Sequence, residues 1–180
     1  MSGRPATGQV VASGQDPLWF LGTLVRMKLD GAQTGGRFAL WEGVFPHGAA
    51  PPLHSHPQDE TFYVLAGEIT AWIVEPELAD DQAEPPRWVA ECAQRGGVGT
   101  VAFAPAGTPH TFRVESDTAR LLFLSTPAGV EEYVQQLAEP AAWPWLQPPA
   151  DGPRVPVERI RGVEAALGIT RHGPSPPPPD

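Results

Sequence analysis

The chain has 180 residues, which suits a single domain with a real core, and it carries 12 basic and 21 acidic side chains for a formal charge of −9. This acidic balance argues against nucleic acid as a partner, because nucleic-acid-binding proteins present a basic face. The sequence has no apolar run near the ~20 residues of a membrane span and none suited to a secretion signal. We therefore expect a soluble, cytoplasmic protein without a membrane partner.

Turn-forming residues are frequent, with 23 prolines and 19 glycines against an apolar fraction of 41%. They indicate many turns and a disordered end. The one cysteine, Cys92, excludes an internal disulfide. Because no histidine or basic group flanks Cys92, we interpret it as a structural thiol.

The first third of the chain predicts strands separated by loops. Residues 18–29 indicate a strand, with a bend or bulge at Gly22. Residues 30–37 are typical of a loop, 38–45 of a second strand, and 46–52 of a turn-rich approach to the next element.

The central part of the chain continues this β pattern. Residues 55–59 predict the turn of a hairpin. In the strand that follows, alternate side chains share one face: Glu60, Phe62 and Val64. After a tight turn at Gly67, the pattern predicts strands and one acidic loop: a strand at 69–74, the loop at 75–87, and strands at 88–93, 96–105, 110–114 and 120–127.

Two helices are expected after this β region, at 130–138 and 157–167, the second with Pro156 at its start and Gly168 just past its end. We divide the chain into consecutive regions: an N-terminal arm (1–17), a β-barrel (18–128), a helical extension (129–170) and a flexible proline-rich tail (171–180). We expect Trp143 and Trp145 to fix the C-terminal segment onto the barrel, and a substrate lid is the open alternative.

Two histidine motifs outline a metal site. The first contains Gly48, His54, His56, Glu60 and Gly67, and the second contains Gly99, Pro105, Gly107 and His110. Residues two apart on a strand point to the same face, so His54 and His56 can reach one ion, while His110 closes the site from a distant strand. Three imidazoles and one carboxylate are ligands of divalent transition metals. The open alternatives are a barrel without a metal and an uncoordinated Glu60 that acts as a base.

These two motifs resemble the two sequence signatures of the cupin superfamily, over roughly residues 37–126. Nine of the ten signature positions match, and Val114 stands where the signature has a supporting asparagine. The resemblance implies an all-β fold, a double-stranded β-helix or jelly-roll barrel with short C-terminal helices. It also implies one divalent metal (Mn, Fe, Co, Ni, Cu or Zn) on His54, His56, Glu60 and His110.

The layout is also similar to that of small single-domain cupins of the quercetin 2,3-dioxygenase-like group. The segments that carry this likeness are HSHPQDETFYVLAG (54–67), STPAGVEEYVQQLA (125–138) and GVEAALG (162–168). The likeness implies a metal-dependent dioxygenase acting on an enol or flavonol. In that reaction Glu60 is both ligand and catalytic base, and the metal brings the organic anion together with dioxygen.

Strand parity also predicts a substrate pocket. Four apolar residues should face inward with the ligands: Phe62, Val64, Phe103 and Phe112. Ordinary core packing accounts for most of them, but one or two would touch a small hydrophobic or aromatic substrate. A non-redox isomerase or lyase stays open, although its pocket would need inward polar residues and Lys28 is the only lysine. A non-catalytic binding module also stays open.

The sequence also predicts a homodimer, because the strand around 18–25 is apolar on both faces and cupins commonly pair. Two histidines lie outside the proposed site. His47 is interpreted as a rim histidine and His172 is assigned no role.

Overall fold

The computed structural model of the chain describes residues 8–11, 16–79, 83, 86–141 and 154–178. Within these ranges the strands form two antiparallel sheets and the helices are short, which confirms the all-β architecture expected for a cupin jelly roll. None of the helices described there has the length and apolar character needed to cross a membrane.

The strands of the larger sheet lie in the order β11 (Glu139–Pro140), β1 (Leu18–Phe20), β2 (Thr23–Leu29), β3 (Ala39–Pro46), β10 (Thr118–Thr126), β5 (Asp59–Ala66) and β8 (Val101–Ala104). Those of the smaller sheet lie in the order β12 (Thr170–Arg171), β4 (His54–Ser55), β9 (His110–Val114), β6 (Ile69–Ile73) and β7 (Ala93–Gly96). The helices are α1 (Gly31–Thr34), α2 (Pro76–Ala79), α3 (Trp88–Glu91), α4 (Glu131–Leu137) and α5 (Val157–Leu167).

The main core fills the space between the two sheets. Alternate residues of each strand point inward, as the predicted parity of Glu60, Phe62 and Val64 on β5 requires. Phe62 contacts Phe112 of the opposite sheet with ring centroids 5.7 Å apart, and Phe123 of its own sheet at 5.9 Å. Each such side chain contributes about 1.5–3 kcal/mol of burial free energy.

The N-terminal strand differs from the prediction of one bent strand. Leu21 and Gly22 form a tight turn with positive φ of 47° and 86°, so that β1 and β2 are an antiparallel hairpin. The predicted loop after β2 contains α1. Asp30 caps this helix by accepting a hydrogen bond from the Gln33 N–H at 2.8 Å, while the Gln33 side chain accepts one from the Asp30 N–H at 3.0 Å.

The predicted hairpin around residues 55–59 is wrong, because β4 and β5 belong to different sheets. The chain crosses there from the smaller sheet to the larger one. It crosses back at Gly67, which has φ of 80°. A Cβ on Gly67 would clash with the carbonyl oxygen of Thr118, so only glycine fits this corner.

The predicted strand at 88–93 is also wrong over its first part, where α3 forms. The Cys92 N–H donates to the carbonyl of Trp88 at 3.1 Å. Trp88 is buried edge-on against Trp72, whose Nε1 donates to the carbonyl of Val89 at 2.9 Å. This packing outweighs the strand-like composition of the segment and forms a second, smaller core cluster with Leu53.

The second of the two predicted helices is α5, which has the predicted bounds and ends at Gly168 in the left-handed conformation. It is joined to α4 because the Tyr133 hydroxyl donates to Glu164 at 2.9 Å, and Arg171 binds the same carboxylate. The chain then pairs with β4 through β12. The predicted flexible tail continues along the barrel, with the carbonyl of Pro174 accepting from the Leu53 N–H. The proposed region boundaries stay predictions, and Trp143 and Trp145 lie outside the described residues.

Candidate metal centre

The four predicted ligands converge at one end of the barrel. His54 on β4 pairs directly with His110 on β9, and His56 follows just after β4. Glu60 reaches the same place from β5 of the opposite sheet. One ligand atom from each side chain lies within 4.8 Å of all the others, so this group could hold a metal ion.

The two motifs are locked together by the backbone. The turn after β8 carries Gly107, whose N–H donates to the carbonyl of His56 at 2.8 Å. Beside it, the Ala106 N–H donates to the Asp59 carboxylate at 2.8 Å. The second motif therefore rests directly on the first, and the start of β9 brings His110 to its position.

Backbone carbonyls orient two of the three imidazoles. Nδ1 of His54 lies 2.8 Å from the carbonyl oxygen of Pro52, and Nδ1 of His110 lies 2.8 Å from that of Thr108. A carbonyl oxygen only accepts, so each Nδ1 must carry the proton. This leaves both Nε2 atoms for the centre of the cluster, which is the arrangement typical of metal-ligating histidines.

Glu60 lies between two of the rings. Its Oε2 is 3.0 Å from Nε2 of His110 and 3.3 Å from Nε2 of His56. Burial disfavours the charged carboxylate, but the hydrogen bonds from His110 and His56 outweigh it and hold the pKa of Glu60 below its usual range. Glu60 is therefore ionised at neutral pH, as a ligand carboxylate must be.

The imidazoles differ in protonation. Burial, reinforced by the charge of His110, lowers the pKa of His54 to about 3, so that it stays neutral. For His110 burial acts in the same direction, but the hydrogen bond and the charge of Glu60 outweigh it and raise the pKa. The contact between His110 Nε2 and the carboxylate needs a proton between them, and a divalent cation can take the place of that proton. The donor set thus fits a metal.

The environment of His56 is a second indication of a metal site. Its ring is 3% exposed, and its Nδ1 has no hydrogen-bond partner among the residues that the structure describes. Buried polar atoms are nearly always satisfied, so the position of this ring depends on what its other nitrogen binds. Coordination of a metal through Nε2 would fix the position of the ring.

Three of the four predicted pocket residues lie in the core below the ligands. Phe62, Val64 and Phe112 are buried there. The prediction that Phe103 faces inward is wrong, because its side chain is 53% exposed. On β8 the inward residues are Ala102 and Ala104, since Ala104 pairs with Glu60.

Sequence reasoning missed Ser125 at the site. This residue lies on β10 directly opposite Glu60, it is fully buried, and its hydroxyl has no partner among the described residues. The available signal was parity within the predicted strand at 120–127, because Ser125 shares the inner face with Leu121 and Phe123.

The remaining histidines and the cysteine lie outside the cluster. His47 is exposed, with Nδ1 3.2 Å from the carbonyl oxygen of Ser116. His172 lies 2.9 Å from the hydroxyl of Ser55, the residue between two of the ligands, although the sequence assigned it no role. Burial, together with the charges of Glu91 and Glu75, raises the pKa of the Cys92 thiol, which fits the predicted unreactive role.

Comparison with known proteins agrees with this fold. The Cupin domain family matches residues 41–81, which include the first histidine motif, and no curated protein matches the sequence. A RmlC-like cupin from Shewanella frigidimarina is similar with 15% identity and a TM-score of 0.52, over 72% of this chain and 99% of that one. A predicted oxalate decarboxylase from Thermotoga maritima is similar with 15% identity and a TM-score of 0.53, over 66% and 99%. The chain has the cupin fold, and its first histidine motif lies in the part that the Cupin domain family matches.

Proposed function

We propose that the protein is a metal-dependent enzyme, with one divalent transition metal bound by His54, His56, Glu60 and His110. The observation that carries this proposal is the convergence of the four ligand atoms within 4.8 Å from both sheets. The Nδ1 contacts that direct two imidazoles toward the same point support it. We infer a transition metal rather than Mg²⁺ or Ca²⁺, because three imidazoles are unsuited to the hard cations.

We further propose that the reaction is a dioxygenation of a small hydrophobic or aromatic substrate with an acidic hydroxyl, such as an enol or a flavonol. When bound, the metal would supply Lewis acidity and open positions for substrate and dioxygen. The buried Glu60 carboxylate lies among the three imidazoles, so it would bind the metal and be next to the hydroxyl of a metal-bound substrate, whose proton we propose it accepts. The aromatic core below the cluster, with Phe62 and Phe112, would hold the apolar part of the substrate.

The distribution of basic side chains supports this choice over a non-redox isomerase or lyase of a polar metabolite. Lys28 and Arg120 both bind Glu42, which alternates with inward Trp41 and therefore faces outward. Arg113 binds Glu115 near the other end of β9 from His110. These three cations would not meet a polar substrate at the cluster, whereas an isomerase or lyase of such a substrate would need charged groups there.

The test is metal analysis of the purified protein, followed by oxygen uptake with a panel of enols and flavonols. We expect about one equivalent of a divalent transition metal per chain and metal-dependent uptake. Bound metal without uptake would favour the non-redox enzyme. If the protein binds no metal, the non-catalytic binding module is the function that remains.

A further inference from the structure

Ser125 lies in a cross-strand row that contains Glu60. The row crosses four adjacent strands of the larger sheet in the order Ala39, Ser125, Glu60, Ala104. All four side chains are buried and face the barrel interior. Because residues directly opposite each other on antiparallel strands have Cβ atoms about 4.5–5.5 Å apart, the Ser125 hydroxyl is a direct neighbour of the Glu60 side chain.

The next row of the sheet, one layer further in, has a different character. It runs through Trp41, Phe123, Phe62 and Ala102. Trp41 and Phe123 stack with centroids 5.4 Å apart, and Phe62 lies 5.9 Å from Phe123. The row that holds Glu60 is thus made of small residues around the carboxylate, above an aromatic layer.

The hydroxyl of Ser125 has no partner in this surrounding. The side chain is 0% exposed, and its Oγ makes no hydrogen bond with any described residue. A buried hydroxyl without a partner costs free energy, and an alanine would fill nearly the same volume without that cost. The same row uses alanine at Ala39 and Ala104, so a need for a small residue does not account for the serine.

We infer that the Ser125 hydroxyl binds an oxygen atom of the substrate, next to the oxygen that lies at the metal centre. The inference rests on the proposed function and adds to it the substrate class: an apolar molecule with two oxygen atoms close together. One oxygen lies toward His54, His56 and His110, the second accepts a hydrogen bond from Ser125, and the apolar body rests on the aromatic layer. Ser125 is then a substrate-binding residue and not a metal ligand.

The experiment uses the full chain loaded with Co²⁺, whose visible absorption reports both metal binding and ligand binding. Two probes are compared: benzoate, which has a second oxygen beside the one that binds the metal, and phenol, which has none. Ser125→Ala should weaken benzoate binding about fivefold to tenfold, the effect of one lost hydrogen bond, and phenol binding less than about twofold. The dissociation constant of Co²⁺ should not change.

Stability provides a readout that separates substrate binding from a structural role. In the metal-free protein, Ser125→Ala should leave the thermal midpoint unchanged or raise it, because the hydroxyl it removes has no partner. The matched control is Thr70→Val, which removes a buried hydroxyl that donates to Glu115 at 2.6 Å, and this variant should melt at a lower temperature. Ser125→Cys, similar in size but a weak donor, should bind the probes as Ser125→Ala does.

The other outcomes overturn the inference. Unchanged benzoate binding in Ser125→Ala shows that the hydroxyl contacts no ligand. Equal weakening of benzoate and phenol, or a lowered thermal midpoint, shows that Ser125 acts through the fold. A wild-type protein that binds no Co²⁺ overturns the proposed metal centre, and this inference with it. If wild type binds Co²⁺ but Ser125→Ala does not change benzoate binding, only the inference about Ser125 is overturned and the metal centre is not.

Discussion

Nε2 of His110 and Oε2 of Glu60 lie 3.0 Å apart, although the two residues are 50 positions apart in sequence and belong to opposite sheets of the barrel. A second such contact joins Glu60 to His56 at 3.3 Å. The barrel thus holds one carboxylate oxygen between two imidazoles. A cation at this point would replace two hydrogen bonds between the sheets by coordination, which links metal affinity to the stability of the fold.

The variant His110→Ala tests that link. It removes one of the four proposed ligands and the buried hydrogen bond to Glu60, so we expect metal affinity to fall strongly and the metal-free protein to lose some stability as well. A ligand that binds only the native state stabilises it by mass action, by about 2.7 kcal/mol at a concentration 100-fold above its dissociation constant. Thermal melts with and without Co²⁺ should show a large upward shift for wild type and almost none for the variant. His47→Ala, at an exposed histidine outside the cluster, should keep the wild-type shift; an equal loss there would contradict the assignment.

Glu60→Gln separates the base from the ligand. Glutamine keeps the size of the side chain and one oxygen donor, so the fold and part of the metal affinity should remain. It cannot accept a proton at neutral pH, and we therefore expect oxygen uptake with an enol substrate to fall by at least about 100-fold, the lower range for general-base catalysis. Turnover at the wild-type rate in the metal-loaded variant would show that Glu60 is not the base.

The convergence of the four proposed metal ligands could be predicted from the sequence because the constraint on these residues is local. Strand parity places His54 and His56 on one face, and the motif spacing places His110 on a second strand. The crossings between sheets were not predictable in this way. A turn between two strands looks the same in sequence whether the strands pair or separate, and tertiary packing decides the outcome. For this reason residues 55–59 appeared to be a hairpin.

Two other differences between the sequence predictions and the structure have separate causes. Phe103 was assigned to the inner face by strand parity with the predicted ligands, but the register of β8 against β5 places Ala102 and Ala104 there. A shift of one residue reverses the faces of a strand, and the sequence around 96–105 contains no feature that fixes the shift. Ser125 was missed because parity places it on the inner face but does not show that it lies opposite Glu60, and its interest depends on that neighbour.

The pH dependence of stability follows from the pKa of His54, which burial lowers from 6.5 to about 3. The folded protein keeps this imidazole neutral, whereas the unfolded chain binds a proton as the pH falls below 6.5. The stabilisation is thus present above the unfolded pKa and is lost toward acid, by at most about 1.4 kcal/mol per pH unit. The raised pKa of His110 has the opposite effect, because protonation of this residue stabilises the folded protein. This stabilisation is complete at pH values below 6.5, so it adds no pH dependence to the free energy of unfolding there.

This dependence can be measured by urea unfolding of the metal-free protein in the presence of a chelator, at about pH 6 and about pH 5. Wild type should be less stable at the lower pH. His54→Gln should lose less stability over the same interval, because the residue that binds the proton in the unfolded chain is absent. Equal slopes in the two proteins would show that His54 is already protonated in the native state.

The homodimer expected from the sequence stays a prediction, and the structure changes where we expect its interface. The N-terminal strand β1 is paired on both sides, by β2 and β11, so it offers no free edge. Among the described strands β8 ends the larger sheet. Its outer face exposes Val101 and Phe103 by 57% and 53%, beside Tyr63 at 39%. An apolar face on an edge strand favours pairing with a second copy of the same strand.

Light scattering should therefore give a mass near twice the 19.3 kDa of the chain at micromolar concentration. Phe103→Asp places a charge in the middle of the exposed face and should reduce the mass to that of one chain without lowering the thermal midpoint, because the side chain is exposed. Val157→Asp is the matched control, since Val157 is an apolar residue of similar exposure, 55%, on α5 and not on the larger sheet, and the variant should remain dimeric. A wild-type mass near 19.3 kDa would exclude the dimer. A Phe103→Asp variant that stays dimeric would exclude β8 as the interface.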